Sequence, residues 1–494
     1  MTRPLRLSKS RFMSGRQCVL RLWNDCFQRD LATPADAETQ ARFDVGNEVG
    51  ELARQRYPGV LVEADHFHPE EALAETARLL ADPTVKTIQE AAFEHRGGFA
   101  RVDILTRRNG AWDVIEVKSV LDVEEKHRMD AAFQGWVAAG AGLSVGSVSV
   151  MVLNRDYRYA GGDLDLPGLF RVEDITPEAA ELVPTIEADL IRFQKLLQLA
   201  KEPDMPPGRH CAKPYECPYL AHCTRHWPKV VAPVEWVPGI GITKYLPFHA
   251  AGTHSMTDLP VGELSARQLQ VVACHRDDRP WVSQDLREAL KAFAPPIHFL
   301  DFETFAPPVP RLAGTGPREF VPVQWSCHTM LEEGHLTHQE FLAEGLSDPR
   351  EAFAISLLKA VGTQGNICVY SPFEQGVLKR LGEYLPHLAS QLRAITDRIV
   401  DLLPFIKENI YLPAFHGSYS IKKVLPALVP GSDYSQLQVQ DGNQAGIAFA
   451  KMLDEVNPVA RQAIRMDLLT YCGQDTLAMV KVREALVDRF PNFY

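Results

Sequence analysis

The chain has 494 residues, enough for two or three domains with cores of their own, and its 46% hydrophobic and 23% charged residues are those of an ordinary globular protein. A formal net charge of −11 argues against a protein that coats nucleic acid through bulk charge, so any such contact is confined to local basic surface. No apolar run reaches the roughly 18 residues of a transmembrane helix and the basic N-terminus lacks a signal-peptide core, so a cytoplasmic protein with no membrane partner is expected.

The first 21 residues carry Arg3, Arg6, Lys9, Arg11, Arg16 and Arg21 and no acid, which reads either as a nucleic-acid contact or as a solvated terminus. Ser8 is placed to cap a helix through "SRFMSGRQCVLRLWNDC", putting Cys18 beside Leu22 on an amphipathic segment. Residues 36 to 57 read as a second helix, in which "FDVGNEVGELA" offers the acids Glu48 and Glu51.

From Phe99 to Ser119 the sequence reads as a β-hairpin, with Asn109-Gly110 as a type I′ turn between the alternating runs "ARVDIL" and "WDVIEV". Counting outward from the turn sets Arg108 opposite Ala111, Leu105 opposite Val114, Ile104 opposite Ile115 and Asp103 opposite Glu116. Opposed side chains have Cβ atoms roughly 4.5–5.5 Å apart, and like charges there are destabilising, so a positive group is expected between the two acids. Lys118 shares their face, but a divalent cation held by oxygen ligands compensates better; the alternative is a solvated face on which the acids simply repel. A helix around 125 to 140, carrying Gln134, and a strand at "SVSVMVLN" follow.

Nine cysteines in a cytoplasmic chain seldom mean disulfides. In "CAKPYECPYLAHC", Cys211, Cys217 and Cys223 recur at six-residue steps, one short of a tetrahedral set; Cys18 is the first choice for the fourth, with Cys26 or His222 behind it, and three unconnected core cysteines are the alternative. Spacing alone does not separate zinc from an iron–sulfur cluster. From Lys229 the sequence changes character, and "VPGIGITKYLPFHAAGTHSMTDLP" fits either a helix-hairpin-helix that grips a DNA backbone or a helical linker.

The second half opens with "PIHFLDFETF", a buried strand that keeps Asp301 and Glu303 on one face. Strands at "FVPVQWSCHTML" and "HQEFLA", a helix from about Pro349, a strand "NICVYS" and further helices follow. In "MDLLTYCGQDTLAMVKV", Tyr471 and Asp475 are four apart and share a helix face. "VYSPFEQGVLKRL" supplies Glu374, "RIVDLLPF" supplies Asp401, and "GSYSIKKVLPAL" presents Lys422 and Lys423 at a helix start, either as a dock for a phosphate or simply as surface lysines.

Two resemblances gather these residues. An acid followed by a hydrophobic strand ending Glu-x-Lys resembles the RecB-like branch of the PD-(D/E)XK nucleases, which includes CRISPR-associated exonucleases. It implies that Asp103 and Glu116 ligate magnesium or manganese, that Lys118 orients the attacking water and that Gln134 completes the set; the branch's early-helix His is absent, leaving Glu48 or Glu51. RecB-like nucleases with one cysteine before the core and three after it hold a four-iron four-sulfur cluster, here on Cys18, Cys211, Cys217 and Cys223.

The second half resembles the DEDD exonucleases in their Tyr-containing form. This implies that Asp301, Glu303, Glu374 and Asp475 hold two divalent metals and that Tyr471 orients the water, although the family usually has Asp where Glu374 stands and gives Asp401's position a supporting role. The whole order resembles a bacterial family that fuses the two modules. The expectation is therefore an α/β chain with a PD-(D/E)XK restriction-endonuclease-like domain at 1–228, a helical connector at 229–290 and an RNase H-like domain with a mixed sheet at 291–494. Its implied function is metal-dependent hydrolysis of DNA, exonucleolytic in the second site, in processing, repair or defence, with a helicase or repair protein as partner. RNA trimming, or a nucleic-acid-binding scaffold with an inactive site, are the alternatives.

Overall fold

The computed structural model describes residues 6–64, 67–332 and 334–489; Arg3 of the basic N-terminal stretch lies outside them. The fold is mixed α/β and divides into two compact units. One runs to Trp227 and includes Ile242–Ala250 and Pro308–Pro310; the other takes Pro228–Gly241, Ala251–Pro307 and the chain from Arg311. The stretch expected as a connector is thus shared out. Its glycine loop falls in the second unit and the helix Ile242–Ala250 in the first, and short 3-10 turns follow instead of a paired helix. No described helix is long and apolar enough to cross a membrane.

The first unit is built on a sheet of β1 (Leu7–Ser8), β2 (Val60–Leu61), β3 (Thr87–His95), β4 (Gly98–Arg108), β5 (Ala111–Val117), β6 (Val145–Leu153) and β7 (Phe170–Asp174), in the order β2-β3-β4-β5-β6-β7 with β1 alongside β4. Asn109 and Gly110 have φ of 52° and 85°, the two positive angles a type I′ turn needs, and the pairs Arg108–Ala111, Leu105–Val114 and Ile104–Ile115 form as counted. The ladder stops there. In place of an Asp103–Glu116 pair, the Val117 N–H donates to Asp103 Oδ2 at 2.7 Å. Core fills both faces: Leu105, Val114 and Val150 pack under the helix Glu125–Gly140, and Ile104, Ile115 and Met151 under the helix Ala37–Arg56. Gly135 permits the first contact, because a Cβ there would come 2.6 Å from Val148 Cγ2.

The helix expected through Cys18 breaks at it. Lys9–Gln17 and Val19–Phe27 are separate helices, Ser8 caps the first, and Cys18 between them is extended at φ −159° and ψ 125°.

The second unit has a two-stranded pair, β8 (Trp281–Val282) with β14 (Ile410–Tyr411), and a five-stranded sheet. The latter comprises β9 (Ile297–Phe305), β10 (Val321–Met330), β11 (Leu336–Leu342), β12 (Asn366–Val369) and β13 (Ile399–Asp401), in the order β11-β10-β9-β12-β13. β9, β10 and β11 are antiparallel, whereas β12 runs parallel to β9 and β13 to β12. Leu300 and Phe302 of β9 enter the core with the helix Arg350–Val361, so the alternating Asp301 and Glu303 face the other side of the sheet. There the long helix Pro458–Arg489 is pinned by Thr476 Oγ1, 2.8 Å from Ser326 Oγ, and by its Leu468 carbonyl, which accepts from Gln324 Nε2 at 2.9 Å.

Candidate active sites

In the second unit, β9 contributes Asp301 and Glu303, the first turn of the helix Phe373–Tyr384 contributes Glu374, and the helix Pro458–Arg489 contributes Tyr471 and Asp475. Asp301, Glu374, Tyr471 and Asp475 line a cavity of about 830 Å³. One oxygen from each of Asp301, Glu303 and Asp475 lies within 4.8 Å of the others. Burial, and then Asp475, Glu303 and Glu374, hold Asp301 well above the usual carboxylate range. Burial and Asp475 push Glu303 up to about 8 against the pull of Lys422, and burial with Asp401 pushes Glu374 up to about 8. Asp475 is raised by burial, although Tyr434, Lys422 and Tyr471 oppose the shift. Such a set is short of positive charge.

Two groups here carry no sequence signal. The Tyr434 hydroxyl donates to Asp475 Oδ1 at 2.6 Å, and the Cys472 thiol donates to Asp301 Oδ2 at 3.5 Å. Asp401 instead caps the helix Leu402–Asn409, accepting from Leu403 N at 2.9 Å, so Glu374 is the acid on the cavity wall. Lys422 is on that wall too, its ammonium donating to the Gln440 carbonyl and lying 5.4 Å from the Tyr471 ring centre.

These shifts fix a pH dependence. The folded unit keeps protons on Glu303 and Glu374 up to about pH 8, while unfolded glutamates release theirs near pH 4.3, so their contribution to stability is complete below about 4 and lost as pH rises to 8. In EDTA, Tm is expected to drop by several degrees between pH 5 and 8, less steeply in Glu303→Gln, and magnesium is expected to restore it at pH 8. Equal slopes for wild type and Glu303→Gln would contradict this.

In the first unit, Asp103, Glu116 and Lys118 line a cavity of about 460 Å³ with Lys9, Asn47 and Glu90. Glu116 is buried; Lys9 Nζ reaches its Oε1 at 2.7 Å, Lys118 Nζ the same oxygen at 2.5 Å, and Gln134 Nε2 donates to Oε2. Burial alone would raise Glu116, but Lys118 and Lys9 bring it well below the usual range, whereas desolvation and the Glu116 charge hold Asp103 well above it. Lys118 also pairs with Asp130 of the helix Glu125–Gly140. Gln134 Oε1 is buried with no hydrogen-bond partner among the described residues.

Lysines therefore supply much of the positive charge expected between these acids. The early-helix acids fall elsewhere: Glu48 is exposed, and Glu51 is exposed and takes Arg54 Nη2 at 2.6 Å, while Gly46, Asn47 and Gly50 face the cavity. The additional acid is Glu90, on the unanticipated strand β3, where the ladder skips from Gln89–Ile104 to Ala91–Val102 and leaves Glu90 left-handed at φ 58°. The basic N-terminal stretch is largely spent on internal pairs: Arg6 with Glu70 and Glu94, Lys9 with Glu116, and Arg16 with Asp189.

Cys211 and Cys217 are buried in a small core with Tyr219, Cys223 is packed against it, and Cys18 is close enough to raise the thiol pKa of all three. Burial, foremost, pushes Cys217 and Cys223 up to about 11. The Gly208 N–H points at Cys211 Sγ at 3.5 Å, and the Tyr219 N–H bonds to Cys217. Cys26 packs against the larger sheet core instead.

Residues 298–420 match a domain family of unknown function, DUF2779. No curated protein sequence matches the chain. A solved structure of a family B DNA polymerase from the hyperthermophilic archaeon Pyrobaculum calidifontis is weakly similar, with 15% identity and a TM-score of 0.25 over 40% of this chain; the match spans 26% of the polymerase.

Proposed function

We propose that the chain is a divalent-metal-dependent nuclease that hydrolyses DNA, with its principal site in the second unit. The observation that carries this reading is the convergence of four acids with raised carboxyl pKa values, Asp301, Glu374 and Asp475 on one cavity wall and Glu303 with an oxygen within 4.8 Å of those of Asp301 and Asp475, with Lys422 as their opposing cation. The order β11-β10-β9-β12-β13, antiparallel through its first three strands and parallel through its last two, supports an RNase H-like fold and hence the DEDD reading.

Hard oxygen donors with excess negative charge fit magnesium or manganese, and these four acids would hold the ions. Ions held there would supply an activated water and offset the negative charge that develops at the scissile phosphate. The chain's own groups do the positioning. Tyr471, on the cavity wall and hydrogen-bonded to Asp475, orients the attacking water, and Tyr434 steadies Asp475 from behind. By family analogy the reaction is exonucleolytic, 3′ to 5′.

In the first unit we assign the RecB-like role to Asp103, Glu116, Lys118 and Gln134, where the orphaned Gln134 Oε1 leaves an acceptor for a bound water or ion, and where an entering ion must displace Lys9 from Glu116. Cys18, Cys211, Cys217 and Cys223 fit a four-iron four-sulfur cluster, whose sulfur ligands commonly accept backbone N–H bonds of the kind seen at Cys211 and Cys217. The test is degradation of end-labelled single-stranded DNA, duplex DNA and RNA by the purified full chain, with magnesium and with EDTA. Magnesium-dependent loss of DNA is expected; preferential loss of RNA would favour RNA trimming, and loss of neither would favour a binding scaffold.

A further inference from the structure

The stretch that reads as either a helix-hairpin-helix or a helical connector builds part of the second unit's cavity wall. Arg267, on the helix Ala266–Asp277, and Gly239 line the same cavity as Asp301 and Asp475. Gln268 Nε2 of that helix holds the turn through the Pro238 carbonyl at 2.9 Å. Across it lies the loop after His416: Gly417 has φ 75°, and a Cβ there would come 1.7 Å from the Trp236 carbonyl oxygen, so the two backbones touch where only glycine fits.

Arg267 is held without being neutralised. Its Nε donates to the Tyr419 hydroxyl at 3.0 Å and its Nη1 to Gln270 Oε1 at 3.0 Å, and the guanidinium lies 5.1 Å from the Trp281 ring centre and 5.4 Å from that of Tyr419. These partners are a phenol, an amide and two rings, none of them a counter-ion. Nη2 is buried and makes no hydrogen bond among the described residues. Ser418, Ser420, Lys407 and Lys422 share the wall.

A polyanion drawn to a cavity walled by three acids, with Glu303 beside them, needs fixed cations that those acids have not already consumed, and a planar fork with an unspent donor suits phosphate oxygens. We propose that Arg267 is a substrate-positioning residue that grips a backbone phosphate of the DNA strand, a phosphate other than the one being cleaved, and so sets where the strand end rests. The inference rests on the nuclease reading of this unit.

The test is steady-state cleavage of single-stranded oligothymidylate in magnesium over a range of salt, comparing Asp103→Ala with Asp103→Ala carrying Arg267→Gln or Arg267→Lys. With Gln, KM is expected to rise by about tenfold while kcat changes far less, and the slope of log KM against log salt to become shallower by about 1, the signature of one lost phosphate contact. With Lys, the slope is expected to stay near the parent's while KM still rises severalfold, because the charge remains and the fork does not. A residue that only staples the helix to the loop would leave the salt slope unchanged, and that result overturns the inference while leaving the nuclease reading intact. Should Arg267→Gln not fold, a parent-like KM in Arg267→Lys overturns it. A parent that does not cleave at all removes the nuclease reading of this unit, and the inference with it.

Discussion

Tyr471→Phe, made in an Asp103→Ala background so that the first unit cannot mask the second, is expected to lower turnover by about two to four orders of magnitude, the scale of losing a positioned acid–base group. Substrate affinity is expected to change little. Tyr471 is 4% exposed, yet it lies on the cavity wall and hydrogen-bonds to Asp475. Burial first, and then the charges of Asp475, Glu303 and Asp301, keep its phenol protonated. If the ring merely packs, the change removes one buried hydrogen bond, roughly 0.5–1.5 kcal/mol of stability, and turnover stays at the parent level. Tyr434 is the internal control. Its hydroxyl donates to the same carboxylate at 2.6 Å from off the cavity wall, so Tyr434→Phe is expected to cost stability and much less turnover.

Cys217→Ser is expected to lose most of the soluble protein and the iron of what remains. The cysteine loop and the N-terminal helices are tied across nearly the whole unit: Gln17 Nε2 donates to the His210 and Tyr215 carbonyls at 2.7 and 2.6 Å, and the Tyr219 hydroxyl donates to Asp25 at 2.7 Å. A cluster on Cys18 and the loop would close that long span covalently, so its binding energy would be part of the folding energy. The same helices carry Lys9 to Glu116, so their loosening is expected to disturb the first site as well. Iron and sulfide analysis of anaerobically purified protein, with absorbance near about 400 nm, is the check. Stoichiometric zinc without iron would replace the cluster assignment.

The parts of these sites that were legible in the sequence are those fixed by local periodicity. A two-residue turn sets the register of its own strands, hence Arg108 opposite Ala111; alternation puts Asp301 and Glu303 on one face; a helical repeat brings Tyr471 above Asp475. The rest depends on contacts far apart in the chain. Lys9 meets Glu116 from 107 residues away, and nothing around Lys9 distinguishes it from its basic neighbours. Glu90 reaches the first cavity from a left-handed backbone position where the β3–β4 ladder leaves one pair out, with no turn signal in the sequence at that point, and Glu51 is drawn to its own helix neighbour Arg54. The helix break at Cys18 is likewise tertiary. Local propensity favours continuation there, and the extended Cys18 instead stands within electrostatic reach of Cys211, Cys217 and Cys223. Asp401, the second candidate by sequence, is occupied in capping a helix.

The central claim is that the acid cluster of the second unit is a metal-dependent phosphodiesterase centre. Its most direct test is the cleavage-product pattern on end-labelled DNA in magnesium for wild type, Asp103→Ala, Asp301→Ala and the double variant. Each single variant is predicted to lose a different part of the pattern, with Asp103→Ala keeping stepwise shortening from the 3′ end and the double variant falling to the level seen in EDTA. An Asp301→Ala protein whose products match wild type band for band would contradict the claim.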